Sequence, residues 1–156
     1  MQIEASDDLT KIGVALPPGS HAAEEGLWAK PLGMGLFEVR NTPLLAYDLH
    51  WGDVVSCTEP EGERPQMVKV VHRSGHKTLR VLFAERCPRS QVRVTLDHLT
   101  DVGAMHWPGW QRYYAVDIPP IADYEAICVY LWEQEQEGLV QYETGMTRPY
   151  GQAISA

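Results

Sequence analysis

The sequence predicts an α+β protein, with a small curled antiparallel β subdomain joined to a ferredoxin-like strand-helix-strand-helix-strand layer. Three observations carry this. Between residues 11 and 84, short β-branched or alternating runs are separated by turn residues. From 78 to 146, strand-like runs alternate with two segments of helical spacing. At 156 residues and 44% apolar, the chain is long enough to bury a real core in one domain.

The elements follow in order. Residues 1–10 are polar and acidic without periodicity and read as loosely ordered. The single α+β domain is expected over 11–146, β-rich over 11–84 and layered over 78–146. Lys11–Leu16 reads as a strand that Pro17-Pro18-Gly19-Ser20 ends. Leu27–Pro31 is a short strand, Gly33-Met34-Gly35 a turn, and Phe37 and Val39 alternate with Glu38 and Arg40 as in a half-buried strand. Asn41-Thr42-Pro43 breaks it, because proline lacks the ladder donor. Leu44–Leu49 is apolar and irregular, and Gly52-Asp53 leads into the strand Val54–Cys57. Met67–His72 and Thr78–Phe83 read as a hairpin about Arg73-Ser74-Gly75-His76-Lys77.

After Ala84 the period changes. Val92, Leu96 and Leu99 fit a helix that starts near Cys87-Pro88 and stops at Gly103. Val92, Val94 and Leu96 also alternate, so 90–102 is open between helix and strand. Met105–Gly109 reads as a loop and Arg112–Ile118 as a strand. Asp123 is an N-cap, and Tyr124, Ile127, Cys128 and Leu131 form one buried helix face. Gly138 stops that helix, Leu139–Glu143 is a last strand, and 147–156 is a tail.

Landmarks along this order are Leu27-Trp28-Ala29, Asn41-Thr42-Pro43, Gly52-Asp53-Val54-Val55 and Ser74-Gly75-His76-Lys77-Thr78-Leu79-Arg80-Val81, continued by Tyr114-Ala115-Val116-Asp117-Ile118-Pro119. In that spacing the chain resembles a bacterial family catalogued as domain of unknown function 4265. The resemblance spans most of the sequence. It implies a fold and no activity, since a fold does not fix a function.

Charge is unevenly placed. From Arg64 to Arg93 there are eight basic side chains against Glu85 alone, so that segment carries +7 and the remainder −15 of a net −8. Such a run is either solvated surface or a recognition surface. The overall acidity argues against nucleic-acid binding, which needs net positive charge facing phosphates. No apolar run is long enough for a membrane span, and Met1–Ser20 lacks a signal-peptide pattern, so the expected location is the cytoplasm. Cys57, Cys87 and Cys128 are far apart, against a disulfide framework or zinc knuckle. No cofactor is expected, since phosphate-loop, dinucleotide, zinc-protease and serine-hydrolase motifs are all missing.

Several residues could still carry chemistry. His72 and His76 flank a turn, but Arg73 and Lys77 beside them oppose a cation, so no metal is expected; an anion or acidic partner suits Arg73 and His76 better. Cys87 in Arg86-Cys87-Pro88-Arg89 has cationic neighbours that favour thiolate, and is otherwise an incidental cysteine at a strand–helix junction. Asp53 is read first as a turn former and second as a catalytic or metal-binding carboxylate. Asp117 and Glu143 could form a carboxylate pair if held close and buried. Trp107, Trp110, Tyr113 and Tyr114 are split between core packing and interface anchoring.

The function that best fits these features is protein binding. A small acidic bacterial protein of this kind suits an immunity protein or antitoxin that blocks a basic toxin through charge steering and aromatic anchors. The contact residues would be Trp107, Trp110 and Tyr113 with Glu125, Glu133 and Glu137. The alternatives are an anion-binding regulatory module at Arg73, His76, Lys77 and Arg80, or an enzyme built on Cys87 or Asp53.

Overall fold

The computed structural model describes residues 8–145. The expectations for residues 1–7 and for the tail 147–156 lie outside the described residues. The chain divides between His76 and Lys77 into two compact units, each with its own apolar core.

The first unit is a closed barrel of β1 (Thr10–Ala15), β2 (Glu24–Gly33), β3 (Leu36–Val39), β4 (Val54–Thr58) and β5 (Gln66–His72). Neighbours are antiparallel, and β1 closes on β5 in parallel through Gly13 and Gln66. Alternation decides which face is inside: Ile12 and Val14, Leu27 and Ala29, Phe37 and Val39, and Val55 fill the core. The turn Met34-Gly35 has positive φ at both residues, 57° and 74°, the mirror-image geometry that matches strand twist in a tight hairpin.

The segment between β3 and β4 has no ladder of its own, and two buried carboxylates take its place. Glu25 accepts the backbone N–H groups of Leu44, Leu45 and Ala46 at 2.7, 3.1 and 2.8 Å, while Ala46 and Leu49 plug the core. Asp53, fully buried, accepts the N–H groups of His50 at 3.0 Å and Ser74 at 2.9 Å, and Arg73 Nη1 at 3.1 Å. Ser74 Oγ donates to the Trp51 carbonyl at 2.6 Å. Gly52 sits beneath Ser74 with φ of 82°, where a Cβ would lie 3.0 Å from the Ser74 Cβ.

That clamp corrects the expected hairpin. β5 pairs with β4, and β6 pairs with β8 and β9, so 67–72 and 78–83 are strands of different sheets. The strands are where the sequence places them. The link between them is held by Asp53 instead of by a turn ladder.

The second unit runs β6 (Lys77–Phe83), α1 (Arg89–Asp101), β7 (Met105–Pro108), β8 (Tyr113–Ile118), α2 (Tyr124–Gln136), β9 (Val140–Thr144). Its antiparallel sheet has the order β7-β8-β6-β9. Leu79, Val81, Phe83, Val116, Ile118 and Val140 line one sheet face, and Leu99, Ile127 and Leu131 pack on it from the helices. Residues 89–101 are therefore helical, with Thr95 and Leu99 buried. Met105–Pro108, expected as a loop, is a fourth strand that pairs with β8. The whole is α+β: a barrel and a second sheet layered with two helices.

Asp53→Ala removes a buried acceptor from two N–H groups and one guanidinium, and is expected to lower unfolding free energy by about 3 kcal/mol. Arg73→Ala removes a side chain that is 54% exposed, and should cost no more than about 1 kcal/mol. Urea unfolding of both variants checks the ranking; equal losses would mean that Asp53 does not organise the link.

Candidate functional site

The basic and nucleophilic candidates are each held by contacts within their own unit. Arg73 is committed to Asp53 and to the Asp48 carbonyl. His76 is half-buried, and its N–H donates to Ser74 Oγ at 3.1 Å. Arg80 is 1% exposed and lies 3.7 Å from Glu143, itself 2% exposed, so it offers nothing to a dissolved anion. Asp117 is buried on the same sheet face, across from Thr78, while Glu143 is across from Arg80. The two carboxylates thus stand on opposite sides of β6, and Arg80 rather than a shared proton accompanies Glu143. Among the described residues no three His, Cys, Asp or Glu side chains converge as metal ligands, and no helix is long and apolar enough to cross a membrane.

Cys87 is 1% exposed and belongs to the core of the second unit, with its thiol 3.7 Å from the Pro88 carbonyl. Among the described residues no histidine bonds to it; His98 stacks on Tyr130 at 3.9 Å instead. Asp53 is fully engaged as a backbone acceptor, the turn-forming role. Burial, reinforced by Glu59, pushes the Cys57 thiol from 9.0 to about 11. Burial also raises Cys128, against a lowering hydrogen bond from Tyr124.

The aromatic candidates divide between surface and interior. Trp110 is 38% exposed and stacks on Tyr113 at 4.5 Å with 7° between the rings. Tyr113 is buried, so it backs Trp110 instead of offering a surface of its own. Trp107 is half-buried on β7, paired with Ala115.

The helix α2 presents the most coherent surface. Asp123 caps its start by accepting the Ala126 N–H at 3.0 Å, and Arg86 Nη2 donates to the Glu137 carbonyl at 2.8 Å at its end. Ile127 and Leu131 are buried on its inner face. On the outer face stand Glu125, Val129, Trp132, Glu133 and Gln136, all exposed. Val129 is 56% exposed and Trp132 53%. Sequence reasoning named the glutamates and missed Trp132 and Val129. The signal was their offset from the Tyr124-Ile127-Cys128-Leu131 stripe, which leaves apolar residues on the side facing water. Glu133 and Glu137 also sit at the helix C-terminus, where the macrodipole disfavours negative charge, and no basic side chain occupies the last turn. Among the described residues, Glu125, Glu133 and Glu137 form no ion pair.

Against this geometry, the sequence matches the family described as Domain of unknown function (DUF4265) over residues 25–142. The chain belongs to the DUF4265 family. A comparison with curated proteins returned no match. Among solved structures, it is similar to one titled as the novel crystal structure of a hypothetical protein from Neisseria gonorrhoeae. That similarity has a TM-score of 0.74 at 20% identity, covering 88% of this chain and 94% of that one. It shows a shared fold alone.

The DUF4265 landmarks now have physical roles. Trp28 donates its N–H to the Asn41 side chain at 2.7 Å, so Leu-Trp-Ala meets Asn-Thr-Pro. Gly52-Asp53 meets Ser74 in the clamp. Lys77–Val81 pairs residue by residue with Tyr114–Ile118. What marks the DUF4265 sequence here is scaffold, and the candidate surface of α2 lies outside those landmarks.

The thiols give a direct check on the enzyme alternative. At pH 8, alkylation of native Cys57 should run about a hundredfold slower than that of an ordinary thiol, because its thiolate fraction falls with the rise in pKa. Cys87 should label only after unfolding. Fast labelling of Cys87 at or below neutral pH, followed by peptide mass spectrometry, would restore it as a nucleophile.

Proposed function

We propose that the chain is a protein-binding protein of the cytoplasm that presents the outer face of α2 to a basic partner. The observation that carries this is Trp132 and Val129 standing exposed among Glu125, Glu133 and Gln136. An exposed indole among acidic and polar side chains is the composition of an interface anchor with its polar rim. The glutamates at the helix C-terminus oppose the helix dipole, which the Arg86 guanidinium on the Glu137 carbonyl offsets in part and a basic partner would offset further. In its most specific form the proposal is an immunity or antitoxin role, with the partner a basic toxin whose surface meets this helix. Trp110, stacked on Tyr113, supplies a second exposed ring on the same unit. We also read this unit as ferredoxin-like; its β-α-β-β-α-β order and its strand order support that reading.

The test uses charge reversal, because stability and binding should then move apart. Glu133→Lys with Glu137→Lys removes the clash with the helix dipole and should leave stability unchanged or raised by up to about 1 kcal/mol. The same variant should lose a stoichiometric basic partner in affinity capture from native lysate, as should Trp132→Ala. Partner capture that survives both changes would overturn the assignment of this face.

A further inference from the structure

The side of α1 turned toward β7 and β8 forms a groove of about 700 Å³, within the size range of small-molecule sites. Val92 and Leu96 of the helix and Tyr114 of β8 give it an apolar lining, with His106 of β7 beside Tyr114, ring to ring at 6.2 Å. Arg89, Arg93 and Arg112 supply cationic groups to the same groove. Arg112 is set in place: its Nη1 donates to the carbonyls of Ala84 and Cys87, both at 2.9 Å. Its Nε and Nη2 have no acceptor among the described residues, so a fixed guanidinium keeps donors to spare.

Local electrostatics do not explain this arrangement. The start of α1 has no side-chain cap and no acid in its first turn, and Arg89 opens the helix. A cation there opposes the macrodipole, which favours negative charge at a helix N-terminus. Among the described residues, neither Arg89 nor Arg93 meets a carboxylate. Two acids, Glu85 and Asp97, also line the groove, so it is not a general sink for negative charge. It favours a ligand with one anionic head.

We propose that this groove binds a small organic anion, its carboxylate or phosphate head held by Arg89, Arg93 and Arg112 and its flat apolar body laid against Val92, Leu96 and Tyr114. His106 stands beside the body of such a ligand. Burial lowers its pKa below the usual 6.5, against an upward pull from Asp97, and so favours its neutral form. This site uses residues separate from those of the α2 face and stands or falls independently of it.

The test is an NMR titration of the full chain with phenyl phosphate and with benzoate, read at the His106 and Tyr114 ring signals. Inorganic phosphate and phenol serve as the head and body alone. Saturable shifts with phenyl phosphate or benzoate are expected, with each separate half binding about tenfold more weakly or less well still. Tighter binding of one of the two identifies the head. The double variant Arg89→Gln, Arg93→Gln alters exposed side chains and should fold normally, yet weaken binding by about tenfold or more. Absence of a saturable shift with either compound, or undiminished affinity in that variant, would overturn the site.

Discussion

A single buried carboxylate organises the first unit. Asp53 takes the place of missing ladder hydrogen bonds at two points far apart in sequence, His50 and Ser74, and draws Arg73 over itself. Without it, the N–H groups of buried His50 and half-buried Ser74 would lose their acceptor at once, and the exposed Arg73 guanidinium its partner. Gly52 follows from the same constraint, because the Ser74 side chain occupies the space a Cβ would need. Glu25 repeats the device at 44–46. In this barrel, acidic residues that composition alone would count as surface charge act as interior backbone acceptors.

The second unit separates scaffold from surface differently. Its sheet and the inner helix faces form one apolar core, and its buried ion pair Arg80–Glu143 lies on the other sheet face. One end of each helix goes against the dipole rule that the opposite end follows. Arg89 stands at a positive end and Glu133 and Glu137 at a negative end. Each placement costs a few tenths of a kcal/mol or more. Conflicts of this kind between local preference and sequence concentrate where function is exposed.

Much of the fold was legible because periodicity reports on burial. Phe37 and Val39, and Ile127 and Leu131, each lie inside as their spacing predicts. The helix over 89–101 was open because Val92, Val94 and Leu96 fit either period; Thr95 and Leu99 decide it, one of them polar and so silent in an apolar count. β7 was missed because four residues ending in proline are too few to show alternation. The hairpin at 73–77 misled because strand content is local information and strand partnership is not: a side chain twenty positions away, Asp53, fixes the link. At the candidate site, Glu125, Glu133 and Glu137 were legible as a helix face. Trp132 was not, because an aromatic residue in a helix is counted toward the core until the stripe it misses is drawn. Arg80 shows the reverse error, a cation in a basic run that is interior.

The claim that the chain works by contact through α2 is tested most directly by photo-crosslinking in the native cell. A benzophenone side chain replaces Trp132 in one variant and the exposed barrel residue Val68 in another. The account predicts one dominant crosslinked partner of basic character at 132 and none at 68. No adduct at 132, or the same set of adducts at both positions, would contradict it.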